Sequence, residues 1–543
     1  MDPRDESFGT LPNRRRFLAE AAAIATGIAG AACIGARGTG ADLDSSVAPG
    51  TTARGPRDDA ARVLRLPSRM RKDVRGRISP FVYAGGFDTK TALYETIVRM
   101  GPDGRLAPGI AEAWSIEDGG TTHVFRLRAG ATFHDGSPLD AEAVRLHFRR
   151  WVGLPEHSWL ESNERIASVE ALGATELRIR TDRPCALLPD LLAINPCSIT
   201  APSCFDDHGE WVRPIGSGPL RFVEAQDEGR RMRCTPFASG AVHAAGATYV
   251  DFIAYTGDDV RRPIDDLLDG TLDAVVDTWS ENVPRERVAA VQGDARFDVT
   301  WGPGGLVTFL AFRRGSGPTE DLLVRQRIAD AIDRDVLVRH AELGHADPCA
   351  AWAPSTVRDW PASSPRGPHS SAPSREPRLR FPRAQGSPAE EPREARLHAL
   401  LADQVRRAGF EVELSVHASA EFQALLARGE YDLLVLRTLG VPYDPVLSLS
   451  RFLPPKRRAS ASSSLRLLGD AELTALVAEL ATRAEESERA AQFERIQQHL
   501  DRALPVVPLY VPRGLAIVRR GLARPALDHD LYHLDLGPVL ASI

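Results

Sequence analysis

Residues 93–151 decide the fold, and their most telling runs are Leu93-Tyr-Glu-Thr-Ile-Val-Arg99, Gly101-Pro-Asp-Gly104, Leu106-Ala-Pro-Gly-Ile-Ala-Glu-Ala-Trp114 and Phe125-Arg-Leu-Arg-Ala-Gly-Ala-Thr-Phe-His-Asp-Gly-Ser-Pro-Leu-Asp-Ala-Glu-Ala-Val144. The Gly-Pro-Asp-Gly tetrapeptide predicts a tight turn, because proline presets one backbone angle and glycine admits a positive φ. The turn separates two segments that carry regular hydrophobic patterns.

A strand and a helix are predicted on the far side of that turn. From residue 122 to residue 128 polar and apolar side chains alternate, which predicts a strand with Phe125 and Leu127 facing inward. Asp140 occupies the position of a helix N-cap. The apolar residues that follow it at helical spacing are Val144, Phe148 and Trp151. This stretch therefore consists of packing residues rather than residues that perform chemistry.

Length and charge limit the class of protein. The chain has 543 residues, of which 43% are hydrophobic and 6% aromatic, so it can bury a large core and should form two or three domains. Its 67 basic and 73 acidic residues give a net charge of −6. This balance argues against a nucleic-acid partner and against a membrane-coating role.

The sequence gives no sign of an enzyme. It contains no His-Glu-x-x-His zinc helix, no Gly-x-Ser-x-Gly nucleophile elbow and no set of kinase motifs. The Gly216-Ser-Gly-Pro219 run lacks the Lys-Ser/Thr of a phosphate loop. His134-Asp135 has the composition of a catalytic dyad, but we interpret it as the start of a turn. We predict no catalytic residue, no bound metal and no cofactor.

The N-terminus carries an export signal. Arg14-Arg-Arg-Phe-Leu18 precedes the small and apolar run 21–34 and resembles a twin-arginine signal, which we assign to residues 1–41. Gly30-Ala-Ala-Cys33 resembles a lipoprotein cleavage box, with Gly30 where leucine is usual, so Cys33 is a candidate for lipidation. The alternative is an ordinary cleavage site nearby. Residues 42–73 have the composition of a flexible tether.

Five cysteines follow the signal, and their spacing matches neither a zinc ribbon nor a Cys-x-x-Cys redox pair. In an oxidising compartment a bridge could join Cys197 to either Cys185 or Cys204. An odd number leaves at least one thiol unpaired.

The opening stretch, together with Ile215-Gly-Ser-Gly-Pro219, Gly270-Thr-Leu-Asp273 and the helical run 324–334, resembles the extracytoplasmic solute-binding proteins of ABC importers, family 5, the oligopeptide and nickel type. The resemblance implies an α/β, two-lobed fold of the type II periplasmic-binding-protein class, with a hinge and an additional small domain. It implies a monomer that captures a small solute in the periplasm or elsewhere outside the cytoplasm and delivers it to a permease and ATPase complex. A ligand-binding sensory protein on the same fold is the alternative.

The resemblance also implies domain boundaries. The first lobe is expected at 74–298, with the small extra domain at about 95–210, and the second lobe at 299–515. Residues 516–543 are expected to return to the first lobe. Within the second lobe, Val324, Ile328, Ile332 and Val336 predict one continuous apolar helix stripe. Residues 353–392, rich in proline, serine and arginine, predict a surface loop or a disordered excursion, in which only Leu379-Arg-Phe381 indicates a strand.

The most suggestive site element is Leu433-Leu-Val-Leu-Arg437, which predicts a buried strand that ends in a cation. Strand ends of this kind open onto clefts in α/β sheets. Arg437 either pairs with a solute carboxylate or forms a structural pair with an acidic neighbour such as Asp444. Tyr443, in the following loop, could stack on a solute or donate a hydrogen bond.

The segment 157–161 and the segment 431–445 resemble the nickel-binding branch, in which a tryptophan, here Trp159, stacks over the chelated metal. The branch's cleft arginines fall on Glu156 and near Ser198, its second cleft tryptophan falls on Leu439, and its metal-ligating histidine falls near Arg457. The resemblance implies a further contact at Phe87. We therefore expect an altered cleft in which Glu156 and Arg437 favour a zwitterion such as a short peptide, an opine-like chelator or an amino-acid complex.

Overall fold

The computed structural model describes most of the chain after residue 61. The described residues are 62–68, 78–81, 87–101, 105–157, 160–237, 248–255, 262–278, 283–357, 359–364, 377–386, 391–438, 449, 470–480, 482–483, 485–525, 527, 536 and 539. No helix among these residues has the length and apolar character needed to cross a bilayer.

The strands of this described part lie in six sheets. In chain order they are β1 Val63–Ser68, β2 Val98–Met100, β3 Leu106–Pro108, β4 Ala111–Glu117, β5 Thr122–Leu127, β6 Ile166–Ala171, β7 Glu176–Thr181, β8 Leu220–Gln226, β9 Arg231–Pro236, β10 Tyr249–Ala254, β11 Ala274–Asp277, β12 Phe297–Gly302, β13 Thr308–Phe312, β14 Ala346–Pro348, β15 Arg378–Ala384, β16 Glu411–His417, β17 Leu433–Arg437, β18 Val506–Pro512 and β19 Gly514–Arg519.

Helices cover the faces of these sheets. In chain order the α-helices of the described residues are α1 Phe87–Leu93, α2 Ala141–Phe148, α3 Glu161–Arg165, α4 Leu188–Leu192, α5 Pro263–Leu268, α6 Arg285–Val288, α7 Leu322–Ala331, α8 Arg334–His340, α9 Glu391–Arg407, α10 Ser419–Arg428, α11 Ala471–Leu480 and α12 Glu486–Ala503.

The first lobe is built on two sheets, ordered β1-β10-β9-β8 and β11-β19-β12. Asp273 joins them, because its buried carboxylate accepts a hydrogen bond from the backbone N–H of Arg65 on β1 at 2.9 Å. The parallel pairing of β1 with β10 corrects the sequence prediction, which placed residues 63–68 inside a tether ending at 73. Leu64 and Leu66 are fully buried, so the ordered body begins before residue 74.

The stretch that decided the fold forms a separate sheet, ordered β4-β5-β7-β6, with α2 packed against it. The prediction that Phe125 and Leu127 face inward is confirmed, since both are buried on β5. Asp140 caps α2 as predicted, because its carboxylate accepts a hydrogen bond from the Ala143 N–H at 2.9 Å. Trp151 closes the same core with no exposed surface.

The second lobe contains a sheet ordered β14-β18-β13-β17 and a parallel pair, β15 with β16. Two predictions about its sequence are wrong in part. The expected loop 353–392 contains the whole of β15, because Leu379 and Phe381 enter the core, and α9 begins at its end, at Glu391. The expected continuous helix stripe breaks after Ala331, where Asp333 caps α8 through the Val336 N–H, and Leu337 rather than Val336 is buried.

Two neighbouring crossovers connect the lobes, which together form the predicted α/β two-lobed arrangement. Residues 303–307 lead from β12 to β13, and Arg513 leads from β18 to β19. Because β12 pairs with β19 and β13 pairs with β18, the two crossovers run side by side. A side-chain carbon added at Gly304 would lie 2.0 Å from the Pro512 carbonyl oxygen, so this close approach requires glycine.

We expect Gly304→Ala to destabilise the protein by about 1–3 kcal/mol, because overpacking forces backbone or side chains to shift. Gly514→Ala is the matched control on the other crossover, since the carbon added there would lie 3.5 Å from the Pro303 carbonyl oxygen, an ordinary contact. Urea unfolding followed by tryptophan fluorescence measures both effects. Equal losses for the two variants would contradict the close-approach interpretation.

Candidate functional site

Arg437, the predicted cation at the end of β17, is largely buried, with 7% of the residue exposed. Its Nη2 donates a hydrogen bond to Glu394 Oε1 on α9 at 2.8 Å. Of the two roles left open by the sequence, the described conformation therefore contains the structural pair, with Glu394 as the acidic partner. Asp444 lies outside the described residues, and a contact between Arg437 and a solute stays a prediction.

Arg437 is the last member of a row of alternating charges, here called the charge ladder: Arg285, Glu342, Arg393, Glu394 and Arg437. Glu342 Oε2 lies 3.8 Å from Arg285 Nε, and Glu342 Oε1 lies 3.8 Å from Arg393 Nε. Arg393 Nη2 donates to Glu394 Oε1 at 3.2 Å. The ladder thus runs from α6 in the first lobe to the end of β17 in the second.

Glu342 is the member of the ladder whose charge is most costly to bury, because the residue has no exposed surface. Neither of its carboxylate oxygens has a hydrogen-bond partner among the described residues. A buried charge is costly unless opposite charges compensate for it. Arg285 and Arg393 supply that compensation from two sides, one from each lobe.

The ladder controls the protonation of Glu394. Burial by itself would raise the pKa of Glu394, but the positive charges of Arg437 and Arg393, together with His398, outweigh burial and lower the pKa to about 2. Tyr510 lies beside the ladder, and its pKa is raised by burial and by the negative charge of Glu342. Glu394 is therefore the ionised partner of Arg437 at neutral pH.

The first-lobe end of the ladder lies at the crossovers. Arg285 Nη2 donates to the Arg513 carbonyl oxygen at 2.7 Å, and its guanidinium lies 4.7 Å from the centre of the Trp301 ring. Trp301 in turn stacks on His345 of the second lobe, with ring centres 3.7 Å apart. Beside this stack Glu286 of α6 forms an ion pair with Arg396 of α9. Contacts from both lobes therefore surround the hinge.

The other end of the ladder lies at the root of the predicted solute loop. Thr438 follows Arg437, and its hydroxyl accepts a hydrogen bond from the Val307 N–H at 2.9 Å. The Thr438 N–H donates to the Val307 carbonyl oxygen at 3.0 Å. Since Val307 ends one crossover, the backbone that enters the loop after residue 438 is fixed to the hinge.

The loop that carries Glu156 is also fixed at its base. Asn163 accepts a hydrogen bond from the Gly153 N–H at 2.6 Å and donates to the Leu154 carbonyl oxygen at 3.0 Å. A 3₁₀ turn, Pro155–His157, follows. This turn places the backbone of Glu156, while the side chain of Glu156 lies outside the described part.

The other predicted solute contacts are not brought together in the described structure. Phe87 is the first residue of α1, but its side chain is outside the described part. Trp159, Leu439 and Tyr443 lie outside the described residues, as does the candidate lipidation site Cys33. Their assignments stay predictions.

The interpretation of His134-Asp135 as a turn is confirmed. The His134 ring bonds to the Gly218 carbonyl oxygen at 3.0 Å, whereas the Asp135 carboxylate accepts from Ser137 and from the Ser203 hydroxyl. Burial lowers the pKa of His134 to about 4, although the Gly218 carbonyl opposes this shift. The pair therefore holds a turn and does not form a dyad.

The cysteines behind the signal form no bridge. Cys185, Cys197, Cys204, Cys234 and Cys349 are free and buried thiols. Burial raises the pKa of both Cys197 and Cys204 to about 12. Neither bridge considered from the sequence is present. Across the described ranges no three histidine, cysteine, aspartate or glutamate side chains are grouped to hold a metal ion.

Sequence reasoning missed Glu342, Glu394 and Arg285, whose roles depend on long-range packing. The local signal for Glu394 was weak, because Arg393-Glu394 resembles any charged pair on an exposed helix. Nothing in the surrounding sequence distinguishes Glu342 from a surface glutamate. The signal that could have been used is the rule that a buried strand ending in arginine needs a buried anion.

Comparison with known proteins places this geometry in context. The model of the bacterial extracellular solute-binding proteins, family 5, matches residues 105–460. A probable di/tripeptide-binding protein of Pseudomonas aeruginosa is 24% identical over 453 residues, which cover 77% of this chain and 84% of that protein. The nickel-binding periplasmic protein of Escherichia coli is 32% identical over 157 residues, 28% of this chain, and the match spans 30% of that protein's length.

The fold is shared with solved structures. NikA from Brucella suis in complex with Fe(III)-EDTA superposes with a TM-score of 0.73 at 20% sequence identity, covering 87% of this chain and 99% of that one. Dipeptide-binding protein from Pseudoalteromonas in complex with Met-Leu superposes with a TM-score of 0.66 at 15% identity. The α/β two-lobed fold predicted from the sequence is therefore confirmed.

The ladder predicts a pH dependence of stability. Because folding lowers the pKa of Glu394 from 4.5 to about 2, its ion pairs stabilise the protein above about pH 4.5 and are lost as the pH falls toward 2. Glu394→Gln should be less stable at pH 7, and its difference from the unaltered protein should narrow across that window. Thermal unfolding at several pH values measures this, with the exposed Glu176→Gln as control. A constant difference would contradict the assignment.

Proposed function

The chain belongs to family 5 of the bacterial extracellular solute-binding proteins, and we propose that it captures a small solute outside the cytoplasm for import. It then delivers the solute, as a monomer, to the permease and ATPase complex of an ABC transporter. The family match across residues 105–460 is the observation that carries this proposal. The protein performs no chemistry on the solute.

Capture takes place by hinge closure in this proposal. The two side-by-side crossovers at 303–307 and Arg513 give the lobes one common axis. The boundaries expected from the sequence, 298/299 and 515/516, would cut through β12 and β19, so we propose that the first lobe comprises the body up to Gly302 and the return from Gly514, and that the second lobe lies between the crossovers. The pairing of Thr438 with Val307 connects movement at the hinge to the loop that follows β17.

The solute is proposed to be a short peptide, a metal chelate or a similar small zwitterion. Relatives named for nickel and for di/tripeptides support this range. Trp159, Phe87, Leu439 and Tyr443 would supply the apolar and stacking surface, and Glu156 would pair with an amine. A site that pairs buried charges rejects solutes lacking the matching group, because its own charge is then left uncompensated.

In this proposal Arg437 positions the solute site rather than contacting the solute. Because Glu394 neutralises it in the described conformation, its main role is to hold the start of the loop 438–445 in position. Direct contact with a solute carboxylate would require the Arg437 guanidinium to be shared between Glu394 and the solute. Its loss would therefore affect stability as well as affinity.

Export is proposed to use the twin-arginine signal at Arg14-Arg-Arg16, which resembles signals for proteins exported after folding. The five buried cysteines that follow the signal form no disulfide, which supports this route because folding in the reducing cytoplasm leaves thiols unbridged. Membrane attachment through a lipid on Cys33 is the second element of the proposal.

The zwitterion model is tested with the purified mature chain. Native mass spectrometry of protein from its own host identifies the bound solute, and calorimetry then measures its affinity. Glu156→Gln should weaken binding roughly 10- to 100-fold, as expected for a lost charged hydrogen bond. Glu176→Gln should leave the affinity unchanged. The model fails if Glu156→Gln and Arg437→Ala both bind as tightly as the unaltered chain.

The burial of the five thiols leads to a second prediction. A chain that lacks the signal and Cys33 should react slowly with Ellman's reagent when native, because burial holds Cys197 and Cys204 as thiols rather than thiolates. After unfolding in guanidinium without reductant, the five cysteines that follow the signal should all react. Recovery of three thiols would reveal a disulfide and argue against folding before export.

A further inference from the structure

The two lobes meet beside the crossovers through a pair of stacked rings. Trp301 belongs to β12 in the first lobe, and His345 directly precedes β14 in the second. The rings are inclined by 9°, and their centres lie 3.7 Å apart. Stacked rings depend on their mutual orientation, so this contact responds to the angle between the lobes. Its histidine can also take up a proton near neutral pH.

The backbone of His345 is held at both of its polar groups. Its N–H donates to the Glu342 carbonyl oxygen at 2.9 Å, and its carbonyl oxygen accepts from the Arg513 N–H at 3.1 Å. Between Glu342 and His345 the chain makes a tight turn, with φ 53° at Leu343 and 85° at Gly344. The left-handed region is unfavourable for leucine, so the surrounding contacts must hold this turn in place. The His345 backbone is therefore fixed to the second lobe and to a crossover, while its ring contacts the first lobe.

The charged groups that face the His345 ring come from three places. In the first lobe the Arg285 guanidinium lies 4.7 Å from the centre of the stacked tryptophan ring. At the crossover Arg513 forms an ion pair with Asp347 of β14, with Arg513 Nε 3.1 Å from an Asp347 carboxylate oxygen. In the second lobe Glu342 lies 3.8 Å from Arg285. Both carboxylates thus already face an arginine.

A proton on the His345 ring would add a positive charge to this group of paired charges. A cation is attracted to the face of a tryptophan ring, but the Trp301 ring already carries Arg285 at 4.7 Å. Two further charged groups beside the stack, Glu286 and Arg396, form an ion pair with each other. The added charge would therefore be repelled by Arg285 more strongly than the paired carboxylates could compensate.

The pKa of His345 reflects this environment. Burial lowers the pKa, the positive charges of Arg285 and Arg513 lower it further, and the negative charge of Glu342 opposes them. A ring released into solvent would return to the ordinary value of 6.5. Because the stacked ring binds a proton less tightly than a released one, the stack is fully stable above about pH 6.5 and loses stability as the pH falls below it. Glu394, with a pKa of about 2, stays ionised across this window.

We propose that the Trp301–His345 stack is a pH-sensitive contact between the lobes. The neutral imidazole holds the lobes at the described angle, and protonation of His345 releases them to a wider range of angles. A protein that works outside the cytoplasm meets the pH of its surroundings, so acid would weaken its retention of a solute. That last consequence rests on the proposed function, whereas the pH-sensitive contact does not.

A distance between the lobes tests the contact without any solute. Glu224→Cys on β8 and Asp403→Cys on α9 place one exposed thiol on each lobe of a chain that lacks the signal and Cys33. The five native thiols are buried, so a nitroxide reagent labels the two introduced ones. Double electron–electron resonance then gives the distribution of distances. It should be narrow at pH 8, and a second population should grow several-fold as the pH falls from 7 to about 5.

Two substitutions of His345 fix its charge in opposite ways. His345→Phe keeps a neutral ring against Trp301 and should retain the narrow distribution from pH 8 to about pH 5. His345→Arg carries a permanent charge and should show the second population already at pH 8. His208→Phe is the matched control, because His208 is an exposed histidine far along the chain from the stack, and it should respond to pH as the unaltered chain does.

Nuclear magnetic resonance of the unaltered chain gives a measurement that does not depend on how a variant folds. The chain contains 14 histidines, and the ring signal that is absent from His345→Phe in a ¹³Cε1-histidine-labelled sample belongs to His345. That signal should titrate below pH 6.5.

The outcomes decide the proposal. A second population that grows equally in His345→Phe would assign the response to another group and overturn it. An unaltered chain whose distribution stays narrow down to about pH 5, or a His345 signal that titrates at or above pH 6.5, would overturn it as well. None of these results would bear on whether the protein captures a solute, which the solute-binding measurements test separately.

Discussion

The structure depends on a carboxylate that water does not reach. Glu342 has no exposed surface, and it is held between a guanidinium of the first lobe, Arg285, and one of the second, Arg393. Removing one partner from a buried ion pair typically costs about 3–5 kcal/mol, because the remaining charge is left uncompensated. The lobes therefore cannot separate at this point without a large penalty. Any opening must turn about this side of the molecule.

The two crossovers beside Arg285 are also tightly packed. Gly304 fits beneath Pro512 with no room for a side-chain carbon, and Arg285 donates to the carbonyl of Arg513, the only residue between β18 and β19. Backbone that is packed this closely bends rather than slides, which is the behaviour expected of a hinge. The hydrogen bonds between Thr438 and Val307 extend this fixed point to the end of β17. The end of β17 is thereby fixed to this crossover.

Local chemistry made much of the fold predictable, because turns, caps and alternation act over a few residues. Asp140 caps α2 and Phe125 enters the core as the sequence indicated. The errors came where tertiary contacts override composition. The predicted tether contains β1 because Leu64 and Leu66 add to a sheet whose other strands lie far along the chain. The site was less predictable, since the partner of Arg437 is 43 residues away on a helix that has an ordinary charged face.

The pairing of Arg437 with Glu394 follows from these constraints. An arginine that ends a buried strand needs a permanent anion, and Glu394, whose pKa the ladder lowers to about 2, provides it. Because Glu394 stays ionised, the Arg437–Glu394 pair is electrically neutral. The pair therefore fixes the end of β17 in place but attracts a solute anion only weakly.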